Sequence, residues 1–217
     1  MTQTLSIGRR LLTVADYAAV GDDENLRWSE LVEGHLVMAP GPSFRHVRAL
    51  QRLLDEIANY LPAHLERLNQ LDVDLMLAAP HEPGTVRQPD VVVVTKQETA
   101  RLEREGGFVR ASGVVLAAEI VSPGSRRTDR LIKRAEYADA GIPHYWIVEL
   151  EPTVTLTACR LVDAPLYAWP PERMVSGTSK RSAHLTTART SAASRTLTTA
   201  GGRMPSKRRL KSSRAAS

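Results

Sequence analysis

The sequence predicts one α/β domain, a mixed sheet flanked by helices, followed by a separate basic tail. Three observations lead there. Val91-Val92-Val93-Val94 and the run from Val114 to Val121 are almost wholly apolar, as strands covered on both faces are. From Ser43 to Leu61, the residues Leu50, Leu53, Leu54, Ile57 and Leu61 recur at helical spacing. From residue 171 onward Ser, Thr, Ala and Arg dominate and no apolar period persists.

The 217 residues, 42% apolar and 24% charged, suffice for one domain with a substantial core plus a tail. No run of eighteen apolar residues indicates a membrane span. Arg9-Arg10 is not followed by the apolar core of a secretory signal, so no export is expected. Cys159 is the single cysteine, which excludes an internal disulfide or a cysteine-cluster metal site and fits a reducing cytoplasm.

The net charge of +5 joins two unlike pieces. Of the 29 Lys and Arg, eleven follow Pro171, against one acid, so that end carries +10. Residues up to Pro171 hold the other 18 with 23 acids, and carry −5. The body therefore has no general excess of positive charge with which to hold nucleic acid.

In order, residues 1–12 read as a flexible N-terminus. Thr13 opens a short helix with Asp16 in its first turn, ended by Gly21-Asp22-Asp23-Glu24. Leu31 to Met38 reads as a strand, with Gly34 marking a hairpin bend. After the break at Pro40-Gly41-Pro42, Ser43 caps the long helix. Leu71 to Leu77 alternates apolar and acidic residues, predicting a half-buried strand with Asp72 and Asp74 in solvent. Strands at 90–94 and 114–121, a helix at 126–141 closed by Gly141, and a strand at 145–149 follow. Thr153 to Leu161 alternates like an edge strand or hairpin, and 171–217 reads as a disordered tail.

Each apolar run carries one carboxylate, which is costly there unless paired or bound to a metal. Asp90 opens its run, where a solvated strand end and a functional group fit equally well. Glu119 lies inside its run, and a structural role would require a buried partner, so function is favoured. His46, at the end of the 43–61 stripe, fits a packed, hydrogen-bonded role on spacing alone. On the 126–141 helix, Leu131, Ala135, Ala138 and Ile142 form the apolar stripe. Asp129, Lys133 and Tyr137 lie opposite and read as a solvated face with an ordinary ion pair.

The order helix, three strands, helix, strand, with Pro89-Asp90 opening the second strand and Glu119 inside the third, resembles the PD-(D/E)xK nuclease core. More narrowly, the chain resembles the Uma-two family of restriction-endonuclease-like proteins, which are bacterial. The matching pieces are Leu31-Val32-Glu33-Gly34, His46 after a Pro-rich turn, Arg87-Gln88-Pro89-Asp90-Val91, Glu119-Ile120-Val121-Ser122-Pro123, Asp129, Lys133, and Tyr137 through Tyr145-Trp146-Ile147-Val148. The resemblance implies an αβββαβ core over 13–170 with an N-terminal helix and strand extension.

It also implies a metal-dependent endonuclease that hydrolyses phosphodiester bonds of nucleic acid, DNA first. Mg²⁺ or Mn²⁺ would sit on Asp90, Glu119 and the Ile120 carbonyl. Lys133 would replace the lysine the nuclease pattern puts two residues after the glutamate, where this chain has Val121. His46 and Glu33 would be secondary site residues, and a homodimer would suit a double-strand cut. The alternative is an inactive relative that binds nucleic acid through its basic tail, an idea favoured by Val121. A carboxylate-pair glycosidase comes last, since 5% aromatics leave few sugar-stacking surfaces.

Overall fold

The computed structural model describes residues 3–5, 10–20, 26–161, 180–181 and 185–191, with side chains over 10–20 and 26–161. The elements are β1 (Gln3–Leu5), α1 (Val14–Val20), β2 (Ser29–Val32), β3 (His35–Met38), α2 (Phe44–Ala58), β4 (Leu65–Asn69), β5 (Val73–Asp74), β6 (Val86–Arg87), β7 (Val91–Thr95), α3 (Lys96–Glu105), β8 (Val109–Arg110), β9 (Val114–Val121), α4 (Lys133–Asp139), β10 (His144–Glu149), β11 (Thr155–Leu161), β12 (Lys180–Arg181) and β13 (Leu185–Ser191). The α/β expectation holds, with two sheets instead of one.

The larger sheet runs β12-β13-β11-β10-β9-β7-β4. It is mixed: β7 and β9 are antiparallel, β9 and β10 parallel, β10 and β11 antiparallel. All eight residues of β9 are buried, which is why its sequence shows no polar alternation. Successive side chains point to opposite faces, so β7 and β9 feed two cores. Val91, Val93, Ala118 and Ile120 pack with Leu50, Leu53 and Ile57 of α2. Val92, Val94, Ala117 and Val121 pack with Tyr137 and Ile142 at the other face.

The smaller sheet runs β1-β3-β2-β6-β5-β8. Its β2–β3 hairpin turns at Glu33 and Gly34, both left-handed (φ 49° and 78°), the arrangement a two-residue hairpin of matching twist needs. A Cβ at residue 34 would lie 2.7 Å from Leu11 Cβ and 2.8 Å from Pro83 Cβ, so only glycine fits. Thr13 and Asp16 cap α1 reciprocally, Asp16 N donating to Thr13 Oγ1 (3.1 Å) and Thr13 N to Asp16 Oδ2 (2.9 Å). The expected end of this helix, Gly21 to Glu24, lies outside the described residues.

Four expectations change. The first core strand is β4, not 71–77. With only Leu65 fully buried, β4 is weakly patterned, whereas the alternating segment contributes only β5, to the smaller sheet. Asp72 and Asp74 are half-buried, not in solvent, and Asp72 accepts from Gln88 Nε2 at 3.3 Å. The 126–141 helix is turned the other way: Asp129, Lys133 and Tyr137 are buried, while Leu131 is 63% exposed. A π-helical turn over Thr128–Ile132 precedes α4 and re-aims that face, and buried partners on other elements receive the charges. Lastly, the tail is not structureless throughout, since β13 pairs with β11 from Thr155↔Ser191 to Leu161↔Leu185. Its Thr-rich sequence suits a strand that completes the β11 edge. Apart from β12 and β13, residues 171–217, like most of residues 1–9, lie outside the described residues.

The inverted helix face has a direct consequence for stability. Leu131→Ser should shift the unfolding free energy by no more than about 0.5 kcal/mol, as exposed substitutions do. Ile142→Ala, in the core, should cost about 2–5 kcal/mol. Urea unfolding of both variants checks this, and a large loss in Leu131→Ser would restore the apolar stripe to the interior.

Candidate active site

Register sets the site. Val91 pairs with Ala118 in the antiparallel β7–β9 ladder, so Asp90, one step before, stands opposite Glu119. Asp90 Oδ2 accepts the Ile120 backbone N–H at 2.7 Å. Its Oδ1 lies 2.8 Å from His46 Nε2. His46 is in the first turn of α2, whose N-cap Ser43 accepts from the His46 N–H at 3.3 Å. The helix start thus reaches round the end of the sheet. His46 Nδ1 is buried without a hydrogen-bond partner.

Glu119 Oε1 accepts from Lys133 Nζ at 2.8 Å and from Tyr137 OH at 3.0 Å, one helical turn apart on α4. Lys133 Nζ is equally close, 2.8 Å, to Glu30 Oε1 on β2, and 4.0 Å from Asp129 Oδ1. Glu30 Oε1 accepts the Gln88 N–H (3.0 Å) and its Oε2 a hydrogen bond from Arg87 (2.8 Å). Arg87 also forks onto both oxygens of Glu136 at 2.8 and 2.7 Å. Asp129 accepts from Ser125 Oγ, and its backbone carbonyl from Tyr145 OH.

These contacts drive the protonation equilibria apart. Burial would raise Glu30, but Lys133, Arg87 and the Gln88 N–H outweigh it and hold the carboxyl at about 2. Glu119 goes the other way. Burial pushes it up, Lys133 pulls it down, and the charges of Asp90, Asp129 and Glu30 leave it well above the usual range. Asp129 is likewise raised, by burial first and then by Asp90 and Glu30 against the pull of Lys133 and Ser125. Burial alone would lower Lys133 and His46. Glu119, Glu30 and Asp129 more than reverse this for Lys133, and Asp90 does so for His46. Burial and the charge of Glu30 carry Asp72 up to about 6 against its Gln88 hydrogen bond.

Asp90, Glu119, Asp129 and Lys133 lie in a cleft of about 330 Å³, with His46 and Glu30 also on its wall. Of the residues expected in the site, Asp90, Glu119, Lys133, His46 and Ile120 come together. Glu33 does not: it is exposed at the hairpin tip, outside the cleft lining, and Glu30 takes the place beside Lys133. Glu30 carried a signal, since it shares a strand with buried Leu31, but the hairpin bend decides which acid turns inward. Tyr137 and Asp129 stood in the sequence as a solvated face, and Arg87 only as part of a motif.

The model of the Uma2 family, described as "Putative restriction endonuclease", matches residues 14–190. The chain belongs to the Uma2 family. The match includes β13 and thus runs past the expected domain end at 170. A crystal structure of "a putative nuclease belonging to DUF820" from Anabaena variabilis ATCC 29413 is similar with a TM-score of 0.55. It shares 17% identity over 71% of this chain and 89% of that chain, a likeness of fold. No curated protein matches the sequence. By family this chain is restriction-endonuclease-like, and its fold is like that of the Anabaena protein. Among the described residues no helix is long and apolar enough to cross a membrane.

The depressed Glu30 carboxyl makes stability pH-dependent with a definite sign. Its folded value of about 2 lies below the ordinary 4.5, so its contribution is full above pH 4.5 and fades as pH falls toward 2. Glu30→Gln should therefore lose about 3–5 kcal/mol at pH 7, the cost of breaking a buried pair, with the gap to wild type narrowing below pH 4.5. Urea unfolding across that range measures it. A gap independent of pH would mean Glu30 contributes no charge.

Proposed function

We propose that the chain is a metal-dependent endonuclease that hydrolyses phosphodiester bonds of nucleic acid, with DNA as the first substrate to test. The observation that carries this is the facing pair Asp90 and Glu119, with the Lys133 ammonium 2.8 Å from Glu119. Mg²⁺ or Mn²⁺ would be held by Asp90, Glu119 and the Ile120 carbonyl. The residues fit such an ion. All three donors are oxygens, which hard divalent cations prefer. Glu30, Asp90, Glu119 and Asp129 give the cleft an excess of negative charge, which adds to burial in raising the Glu119 and Asp129 carboxyls. Among the described residues no group of three or more His, Cys, Asp or Glu side chains is placed to hold a metal ion, so the side-chain ligands number only two. A small protein ligand set of this kind suits Mg²⁺, which keeps several waters. A bound ion would polarise a phosphoryl oxygen and help ionise an attacking water.

The chain's own groups account for the remaining roles. Lys133 stays protonated, gripped by Glu119 and Glu30, and presents fixed positive charge toward a phosphoryl group at the floor. That position answers the lysine missing at Val121. His46 holds Asp90 in place and keeps a second ring nitrogen for a phosphate or water. Glu119 is oriented by Tyr137 as well as Lys133, so its second oxygen is set by two anchors.

The inactive-binder reading expects no response to metal. Adding Mg²⁺ or Mn²⁺ to the metal-free chain should raise its melting temperature and start cleavage of DNA, assayed as single strand and as duplex. Asp90→Asn and Glu119→Gln should each lose both effects. Calorimetry that finds no divalent-ion binding to wild type would sink the nuclease reading.

Lys133→Met tests the lysine separately. It should keep the metal-induced melting shift while lowering turnover by about 10²–10³-fold, the usual loss for one preorganised charge-stabilising donor. Turnover equal to wild type would remove Lys133 from the chemistry.

A further inference from the structure

We propose that the cleft wall formed by Trp28, Gln70 and Gln88 is a nucleobase subsite, and that the substrate enters it as an unpaired nucleotide of a single strand. The inference rests on the reading of the cleft floor as a site of phosphodiester hydrolysis. All three residues line the same cleft as Asp90 and Glu119. None of them takes part in the ion network that holds Lys133, apart from the Gln88 backbone N–H.

Trp28 is half-buried and held in place. The Arg27 guanidinium carbon lies 5.1 Å from its ring centroid, and its backbone carbonyl accepts the Ala39 N–H at 2.8 Å. Gly41 closes on the indole edge, where a Cβ would sit 3.7 Å from Nε1. A fixed indole beside a phosphate-processing floor is a stacking platform, and every base offers it a π-face. Carboxamides supply the complementary chemistry, since they can donate to and accept from a base edge at once. Gln88 is oriented for this: Asp72 takes one Nε2 hydrogen at 3.3 Å and Glu30 takes its backbone N–H at 3.0 Å. Gln70 has a left-handed backbone (φ 53°), a conformation sparsely populated by non-glycine residues and one that clusters at ligand sites.

Recession of the carboxylates selects the single strand. The Asp90 and Glu119 side chains are only 15% and 6% exposed. A phosphate on an intact duplex is flanked by its own stacked pairs, which keep it from the floor of a narrow cleft. A nucleotide splayed from a single strand can bring its phosphate down while its base lies on Trp28. Charge agrees: residues up to Pro171 carry −5, too acidic to grip two phosphate backbones, so the body must hold its substrate largely by stacking.

The test uses the full chain, metal-free so that nothing is cut, and salt high enough to screen tail–phosphate contacts. Short oligo-dT should quench indole fluorescence and bind more tightly than a blunt duplex. Trp28→Leu should weaken oligo-dT binding about 5- to 150-fold, the range for losing one stacked base, and remove most of the quench. Trp28→Phe should keep the affinity, and Gln88→Ala should alter the oligo-dA to oligo-dT preference. Duplex binding as tight as single-strand binding would overturn the proposal. So would a folded Trp28→Leu with wild-type affinity. Should Trp28→Leu fail to fold, an unchanged base preference and affinity in Gln88→Ala would overturn it. No metal enters these measurements. Single-strand binding that depends on Trp28 therefore supports the subsite even if divalent ions prove inert, whereas a metal response without it defeats the subsite alone.

Discussion

A single buried ammonium ties the architecture together. Lys133 reaches from α4 to Glu119 in the larger sheet and to Glu30 in the smaller one, 2.8 Å from each. Removing a charge of this size from water costs several kcal/mol per ion, so the arrangement persists only because every partner is itself satisfied. Glu30 is shared with Arg87, and Arg87 returns to α4 through Glu136. Positive and negative groups alternate along a closed path through both sheets and the helix. The two sheets have no hydrogen-bonded strand in common, so this path, with the packing of Val73 and Val109 against Val92 and Val94, fixes how the smaller sheet sits against the cleft.

The same ion explains the helix before it. A regular helix over 126–141 would have turned Leu131 and Ala135 inward and left Lys133 outside. Burying Lys133, Tyr137 and Asp129 on one face, with their hydrogen bonds made, outweighs exposing Leu131 and Ile132, which bury at most a few kcal/mol of apolar surface between them. Asp129 and Lys133, four residues apart, share the face that lines the cleft, and a π turn at Thr128–Ile132 leads into α4.

Sequence patterns reveal what depends on neighbours in the chain and conceal what depends on distant ones. The β7 and β9 runs, the α2 stripe, its Ser43 cap, the Thr13 cap and the bend at Gly34 were all legible, because period and turn chemistry are local. That Glu119 needs a partner was legible, because a carboxylate inside an apolar run is costly alone, and Lys133 and Tyr137 supply it. The inward face of α4 was not, since the reasons for it sit at residues 30 and 119. Nor was β4, an outer core strand whose Glu66 and Arg67 mask its period. The choice of Glu33 over Glu30 failed on geometry: the hairpin bend places one acid at the tip and the other against Lys133.

The distribution of charge separates what holds a polyanion from what acts on it. A cleft with four carboxylates repels a phosphate unless cations intervene, and the single charge of Lys133, shared between Glu119 and Glu30, offsets only part of theirs. Arg87 is likewise committed to Glu30 and Glu136. On the proposed nuclease reading, this shortage of uncommitted positive charge is the physical case for a divalent ion. Attraction at long range must come from elsewhere, and the +10 borne beyond Pro171 is the only large reserve of positive charge in the sequence.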